Sequence, residues 1–152
     1  MKIQEYLEKL IKHLGVDDDF EILLEELDDR LKIAITVPAT DVALLIGNRG
    51  ETLEAIELLT KLSFKDEFPD KRIILDINEY RSASEDRLKE KALGIARKVL
   101  ETKQSQEMYD LNSYERYLVH SALAADETLK EVESFSEDRD EERVLVIKFK
   151  EN

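Results

Sequence analysis

Apolar residues recur at helical spacing from the start of the chain, with Ile3, Leu7, Leu10, Ile11 and Leu14 on one face and Gly15 placed to end the helix. Alternation then takes over. Residues 20–27 and 31–37 read as two strands, with Leu31, Ile33, Ile35 and Val37 on one face, Asp28-Asp29-Arg30 as the turn, and Pro38 closing the second. Thr40 or Asp41 is placed to cap a short helix carrying Val42, Leu45 and Ile46. Helical spacing resumes after Gly47-Asn48-Arg49-Gly50, with Leu53, Ile56, Leu59 and Thr60, and runs to about Phe64. A loop at 66–70 leads to a third strand at 71–77, on which Ile73, Leu75 and Ile77 share a face.

The spacing next predicts a long helix opening at residues 78–81 and reaching about 103, with a buried stripe of Leu88, Ala92, Ile95, Ala96 and Val99. Gly94 within it costs about 1 kcal/mol relative to alanine and is expected to permit close packing. Glu85 and Lys89 stand at intrahelical ion-pair spacing. Asn112 and Glu115 form a capping pair for one more helix. A short strand at 131–136, an acidic turn at 137–142 and a last strand at 143–149 complete the pattern.

Composition bounds the chemistry. A chain of 152 residues with 42% apolar side chains is long enough for one mid-sized domain or two small ones. It has no cysteine, so neither disulfides nor thiolate metal sites are available, which fits a reducing cytoplasm. No apolar run approaches membrane-spanning length. Asp17-Asp18-Asp19 lacks the spaced ligands and glycine of a calcium loop and reads as a solvated turn. The only histidines are His13 and His120, and no nucleophile has an evident base beside it, so no catalytic group, metal or cofactor is expected.

The formal net charge of −13 opposes any broad attraction to nucleic acid. Its distribution is uneven. Residues 1–37 and 126–152 each sum to −5 (5 basic, 10 acidic), while 38–65 sum to −1 (3 basic, 4 acidic) and 80–103 to +3 (7 basic, 4 acidic). Arg87, Lys91 and Lys98 share a flank of that helix, as a solvated face or a phosphate track. Screening over about 8–10 Å at cellular salt gives local charge more weight than the total.

Two stretches carry candidate binding chemistry. In Gly47-Asn48-Arg49-Gly50, a glycine at each end of a polar tip removes the Cβ atoms that keep another backbone at a distance. The second glycine opens a helix, so unpaired amides and the positive end of the helix dipole face the same place, suited to a phosphodiester. In the second stretch Arg116 and His120 lie four apart on one helical face, a spacing at which a guanidinium fork and an imidazole N–H could hold one phosphate; Tyr117 could stack on a base.

The order helix, strand, strand, helix, Ile46-Gly-x-x-Gly50, helix, strand resembles the prokaryotic-type KH fold, whose loop clamps about four nucleotides. With the long helix and Asn-Ser-Tyr-Glu-Arg-x-x-x-His after it, the whole chain resembles the bacterial Jag proteins, also called KhpB, which join a KH domain to a small Arg-x-x-x-His (R-3-H) domain and bind RNA. The resemblance implies an α+β architecture: a KH-like domain at 1–80, a connecting helix at 81–104 and an R-3-H-like domain at 105–152. The separate N-terminal domain of many members is expected to be lacking.

It also implies a cytoplasmic, non-enzymatic, single-stranded RNA-binding protein, a bacterial post-transcriptional regulator. Ile46, Gly47, Asn48, Arg49, Gly50, Arg116, Tyr117 and His120 would be its nucleic-acid contacts. Single-stranded DNA and a second small KH protein stand as further candidate partners. Four departures lower the positive charge or alter the pattern: Asn48 replaces the usual clamp lysine, Ser113 a proline, Tyr117 a second arginine, and residues 137–142 a less acidic, glycine-containing turn. The acidic total with the missing clamp lysine favours a competing reading, an acidic protein-interaction adaptor on the same fold, against which stand the intact cores of both motifs.

Overall fold

The computed structural model describes residues 1–151 and divides the chain into two compact units, Met1–Arg81 and Ser82–Asn152. Among the described residues no helix is long and apolar enough to cross a membrane.

The first unit contains α1 (Ile3–His13), β1 (Glu21–Glu26), β2 (Arg30–Thr36), α2 (Val42–Ile46), a 3₁₀ turn (Asn48–Gly50), α3 (Glu51–Phe64) and β3 (Arg72–Ile77). The sheet has the order β1-β2-β3; β1 pairs antiparallel with β2 (Leu24 opposite Ile33), and β2 pairs parallel with β3 (Ile33 opposite Leu75). Parallel neighbours require a crossover, and α2, the 3₁₀ turn and α3 supply it. Leu31, Ile33 and Ile35 alternate with solvent-facing residues and share a core with Leu7 and Ile11 of α1 and Leu53 and Ile56 of α3. Tyr6 meets Phe64 edge to face at 5.3 Å between ring centres. On the outer strand β1, Glu21, Glu25 and Glu26 are exposed beside Leu23.

Two side chains tie the crossover to the sheet. Asn78, in a left-handed conformation (φ 49°), accepts from the Val37 amide and donates to the Val37 carbonyl, both at 2.9 Å. It thereby extends the β2 ladder with a side chain. Glu57 of α3 accepts from the Leu75 amide and from Arg81 (2.9 Å each), while its other oxygen takes the Lys61 ammonium at 2.7 Å. A mostly buried carboxylate satisfied three ways avoids the cost of an unpaired charge.

The second unit takes most of α4 (Tyr80–Thr102), with β4 (Gln106–Met108), α5 (Ser113–Ala125), a 3₁₀ turn (Glu127–Leu129), β5 (Val132–Arg139) and β6 (Glu142–Phe149). The sheet order is β4-β6-β5, all antiparallel. Ala92, Ala96 and Val99 of α4 pack with Val119 and Leu123 of α5 and with Leu145 and Ile147 of β6; Leu88 and Ile95 pack half-buried against this core. Lys103 ends α4 with φ 61° and places its ammonium 3.5 Å from the centre of the Phe149 ring.

Several details depart from the pattern-based expectation. Asp41 stands at the N-cap of α2 without a side-chain capping bond. Strand β4 is too short for alternation to announce it. Residues 137–139 and 142 are paired strand, leaving only Asp140 and Glu141 as the turn. There Arg139 bridges Glu107 and Glu137 and Arg143 reaches Asp138 at 2.8 Å, so the acidic hairpin is held by its own arginines. Glu85 accepts from the Tyr114 hydroxyl at 3.0 Å. Gly94 serves no close approach, since nothing lies within 4 Å of where its Cβ would stand. Gly94→Ala should therefore raise stability by about 0.5–1 kcal/mol, read as a higher urea midpoint at unchanged slope.

Candidate nucleic-acid interface

The loop between α2 and α3 is shaped by backbone that side chains resist. Gly47 takes φ 72°, ψ −172°, a region open in practice to glycine alone, and its amide closes α2 onto the Ala43 carbonyl at 3.0 Å. Arg49 (φ 55°) and Gly50 (φ 83°) are both left-handed, and α3 starts directly after them. A Cβ on Gly47 would stand 2.9 Å from the Thr52 amide nitrogen. One on Gly50 would meet the Tyr80 ring at 3.3 Å.

Asn48 and Arg49 are exposed at the tip, whereas Gly50 is buried beneath it. Ile46, expected as a contact residue, is only 5% exposed and belongs to the core under the loop, because α2 turns Leu45 and Ile46 inward and leaves Ala43 and Leu44 outward. Glu51 and Glu54 occupy the first turn of α3, where they already complement the positive helix end that would attract a phosphate.

In the second unit Asn112 and Glu115 form the expected capping box: the Asn112 carbonyl oxygen accepts from the Glu115 amide (2.8 Å), and the Glu115 carboxylate from the Asn112 amide (2.9 Å). Two residues of that first turn bear on the candidate site. Tyr117 is 63% exposed and stacks with Tyr114, ring centres 6.4 Å apart and planes 25° from parallel. Arg116 donates to the Leu111 carbonyl (2.6 Å) and to the Ser113 hydroxyl (3.2 Å). A proline in place of Ser113 would lack that hydroxyl.

His120 is engaged separately, its Nδ1 2.7 Å from the Ser134 hydroxyl and its Nε2 3.3 Å from that of Ser136. Burial first, and the positive charge of Arg116 second, hold its imidazole below the usual 6.5. Arg116 and His120 thus share a face electrostatically while each is positioned by partners of its own. His120, Ser134 and Ser136 line a groove of about 890 Å³ that runs between α5 and the edge strand β5.

A helix-packed three-stranded sheet with Arg116 and His120 on its capped helix marks the second unit as an R-3-H domain, and the R-3-H domain family matches residues 86–149. The match starts inside α4, the helix whose small residues build this core. The chain belongs to the bacterial Jag/KhpB family. It is 31% identical to the RNA-binding protein KhpB of Bacillus subtilis over 95% of this chain and 68% of that protein. Against the KhpB proteins of Clostridium symbiosum and Lactiplantibacillus plantarum the identities are 31% and 30%, over 82% and 94% of this chain. The chain spans 56% and 42% of those two relatives' lengths.

Sequence reading missed Tyr80 beside Gly50, and Ser134 with Ser136 beside His120. The only trace of the serines was polar residues at alternate positions of a strand, a pattern ordinarily read as solvent-facing.

Two expectations follow from this geometry. Gly47→Ala, strained in φ and blocked by backbone, should cost about 2–4 kcal/mol in urea unfolding, and Gly50→Ala, where only an aromatic ring must shift, about 1–2 kcal/mol. For His120 the folded-state value lies below the unfolded one. As pH falls below about 6.5, the unfolded chain takes up a proton that the folded chain resists, so stability present above that pH is lost. The melting temperature should drop further between pH 7.5 and 5.5 in the wild type than in His120→Gln.

Proposed function

We propose that this protein binds single-stranded RNA through two sites, a prokaryotic-type KH clamp in residues 1–80 and the Arg-His face of the R-3-H domain, and acts as a cytoplasmic post-transcriptional regulator. The observation that carries the reading is the left-handed, glycine-flanked loop at Gly47–Gly50, which leaves a polar tip exposed at the start of a 14-residue helix. The α-β-β-α-α-β order with one antiparallel and one parallel strand pair supports a KH domain, and the relatives' being RNA-binding proteins supports RNA. In this reading Gly47 and Gly50, packed on Thr52 and Tyr80, hold the loop in its left-handed shape, Asn48 and Arg49 at its tip contact the strand, and Ile46 anchors the loop from below. Arg116 and Tyr117 form the second contact, with His120 beside them held by Ser134 and Ser136. The +3 stretch at 80–103 offers Arg87, Lys91 and Lys98, all exposed.

With Asn48 in the clamp and two glutamates in the first turn of α3, few counterions are released on binding, and the salt dependence is shallow. Titration of a single-stranded RNA should give micromolar or tighter affinity for the wild type. Gly50→Asp, confirmed folded by circular dichroism, should lose at least tenfold. Asn48→Lys should bind more tightly and steepen the slope of log K against log salt by about 0.7. Equal binding by all three would favour the acidic adaptor instead.

A further inference from the structure

The groove beside α5 contains a hydrogen-bonding cluster in which serines take both ring nitrogens of His120, leaving the holding of a phosphate to Arg116. Ser134 and Ser136 stand two apart on β5, so their side chains leave the strand on the same side, and both reach the His120 ring. The environment disfavours the imidazolium, so one ring nitrogen carries a hydrogen and the other a lone pair. The serine facing the N–H accepts and keeps its own O–H; the serine facing the bare nitrogen donates and keeps its lone pairs. Either tautomer gives the same result: one O–H donor and hydroxyl lone pairs remain for a visitor to the groove.

That combination suits a group that both donates and accepts. A phosphate, which only accepts, would use half of it. The charged residues of the lining are largely engaged elsewhere: Glu127 with Lys130 at 2.8 Å, Glu133 with Lys148 at 3.3 Å, Arg143 with Asp138 at 2.8 Å and Asp126 with Thr128, while Lys150 adds a positive charge at one end. Phe135, between the two serines, leaves β5 on the opposite face, where the Lys148 ammonium lies 5.6 Å from its ring centre. In a nucleic-acid strand, the hydroxyl present in RNA and absent from DNA is the 2′-OH, itself donor and acceptor.

We infer that Ser134 and Ser136, held by His120, read a ribose 2′-hydroxyl, making this groove the element that prefers RNA over DNA. The inference rests on the nucleic-acid reading above. His120 positions the serines, and they make the contact.

The test compares two single strands of one sequence, RNA and its deoxyuridine-containing DNA counterpart, which differ only at the 2′ position. Fluorescence anisotropy should show the full chain preferring RNA by roughly threefold to tenfold, the worth of about one neutral hydrogen bond. Ser134→Ala with Ser136→Ala should bind RNA no better than DNA, with DNA affinity unchanged. Ser134→Thr with Ser136→Thr, which retains both hydroxyls, should keep the preference. Should the double alanine variant melt early, Ser136→Ala alone, removing the longer contact, should still shrink the ratio. A wild type that binds both strands equally, or alanine variants that retain the preference, overturns this inference and leaves RNA binding intact. A wild type that binds neither strand removes both.

Discussion

The first unit depends on a reversal of backbone hand. To connect the parallel strands β2 and β3, the chain must stop one helix and start another in four residues, and it does so with positive φ at Gly47, Arg49 and Gly50. L-residues disfavour that region, and the conformation of Gly47 is closed to nearly everything else. The surrounding structure holds it there: Leu45 and Ile46 are fixed in the core on one side and Leu53 and Ile56 on the other. An exposed tip with a rigid base follows from this arrangement, whatever the tip binds.

Electrostatics shape the rest. A chain with 36 acidic and 23 basic residues has to contain its own repulsion locally. In the β5–β6 hairpin two arginines are spread over three carboxylates. In the first unit Glu57 gathers a lysine, an arginine and a backbone amide. The exposed pairs of the hairpin contribute little stability, on the order of 0–1 kcal/mol each, so their main effect is to orient side chains, whereas the mostly buried Glu57 needs its partners to offset lost hydration. Tyr109 adds its hydroxyl to the Glu107 cluster, and that hydrogen bond, with Arg139 second, keeps the carboxylate below its usual range.

Much of the fold was legible in the sequence because its signals are local. Alternation fixed β2 and β3, helical spacing fixed α1 and α3, and Asn112 with Glu115 announced a capping box whose two hydrogen bonds both form. What escaped was non-local. Strand β4 exists only through its pairing with β6. Gly94 resembles a packing glycine until the empty space around it is known. At the candidate site, the residue types of both motifs could be read from spacing, but the inward turn of Ile46, the separate partners of Arg116 and the serines facing His120 follow from tertiary contacts. Helical spacing places Arg116 and His120 on one face without fixing where either side chain ends.

Among the described residues β1 is an edge strand, paired with β2 alone, and an edge is the place where a sheet is most easily extended by a neighbouring molecule. Its outward residues include exposed Leu23, which would welcome such an addition, but Glu21, Glu25 and Glu26 stand along the same strand. Seating a second copy there would bring like carboxylates together and strip them of water. The acidity that hinders attraction to polyanions therefore also guards an open sheet against growing into ribbons in a crowded cell.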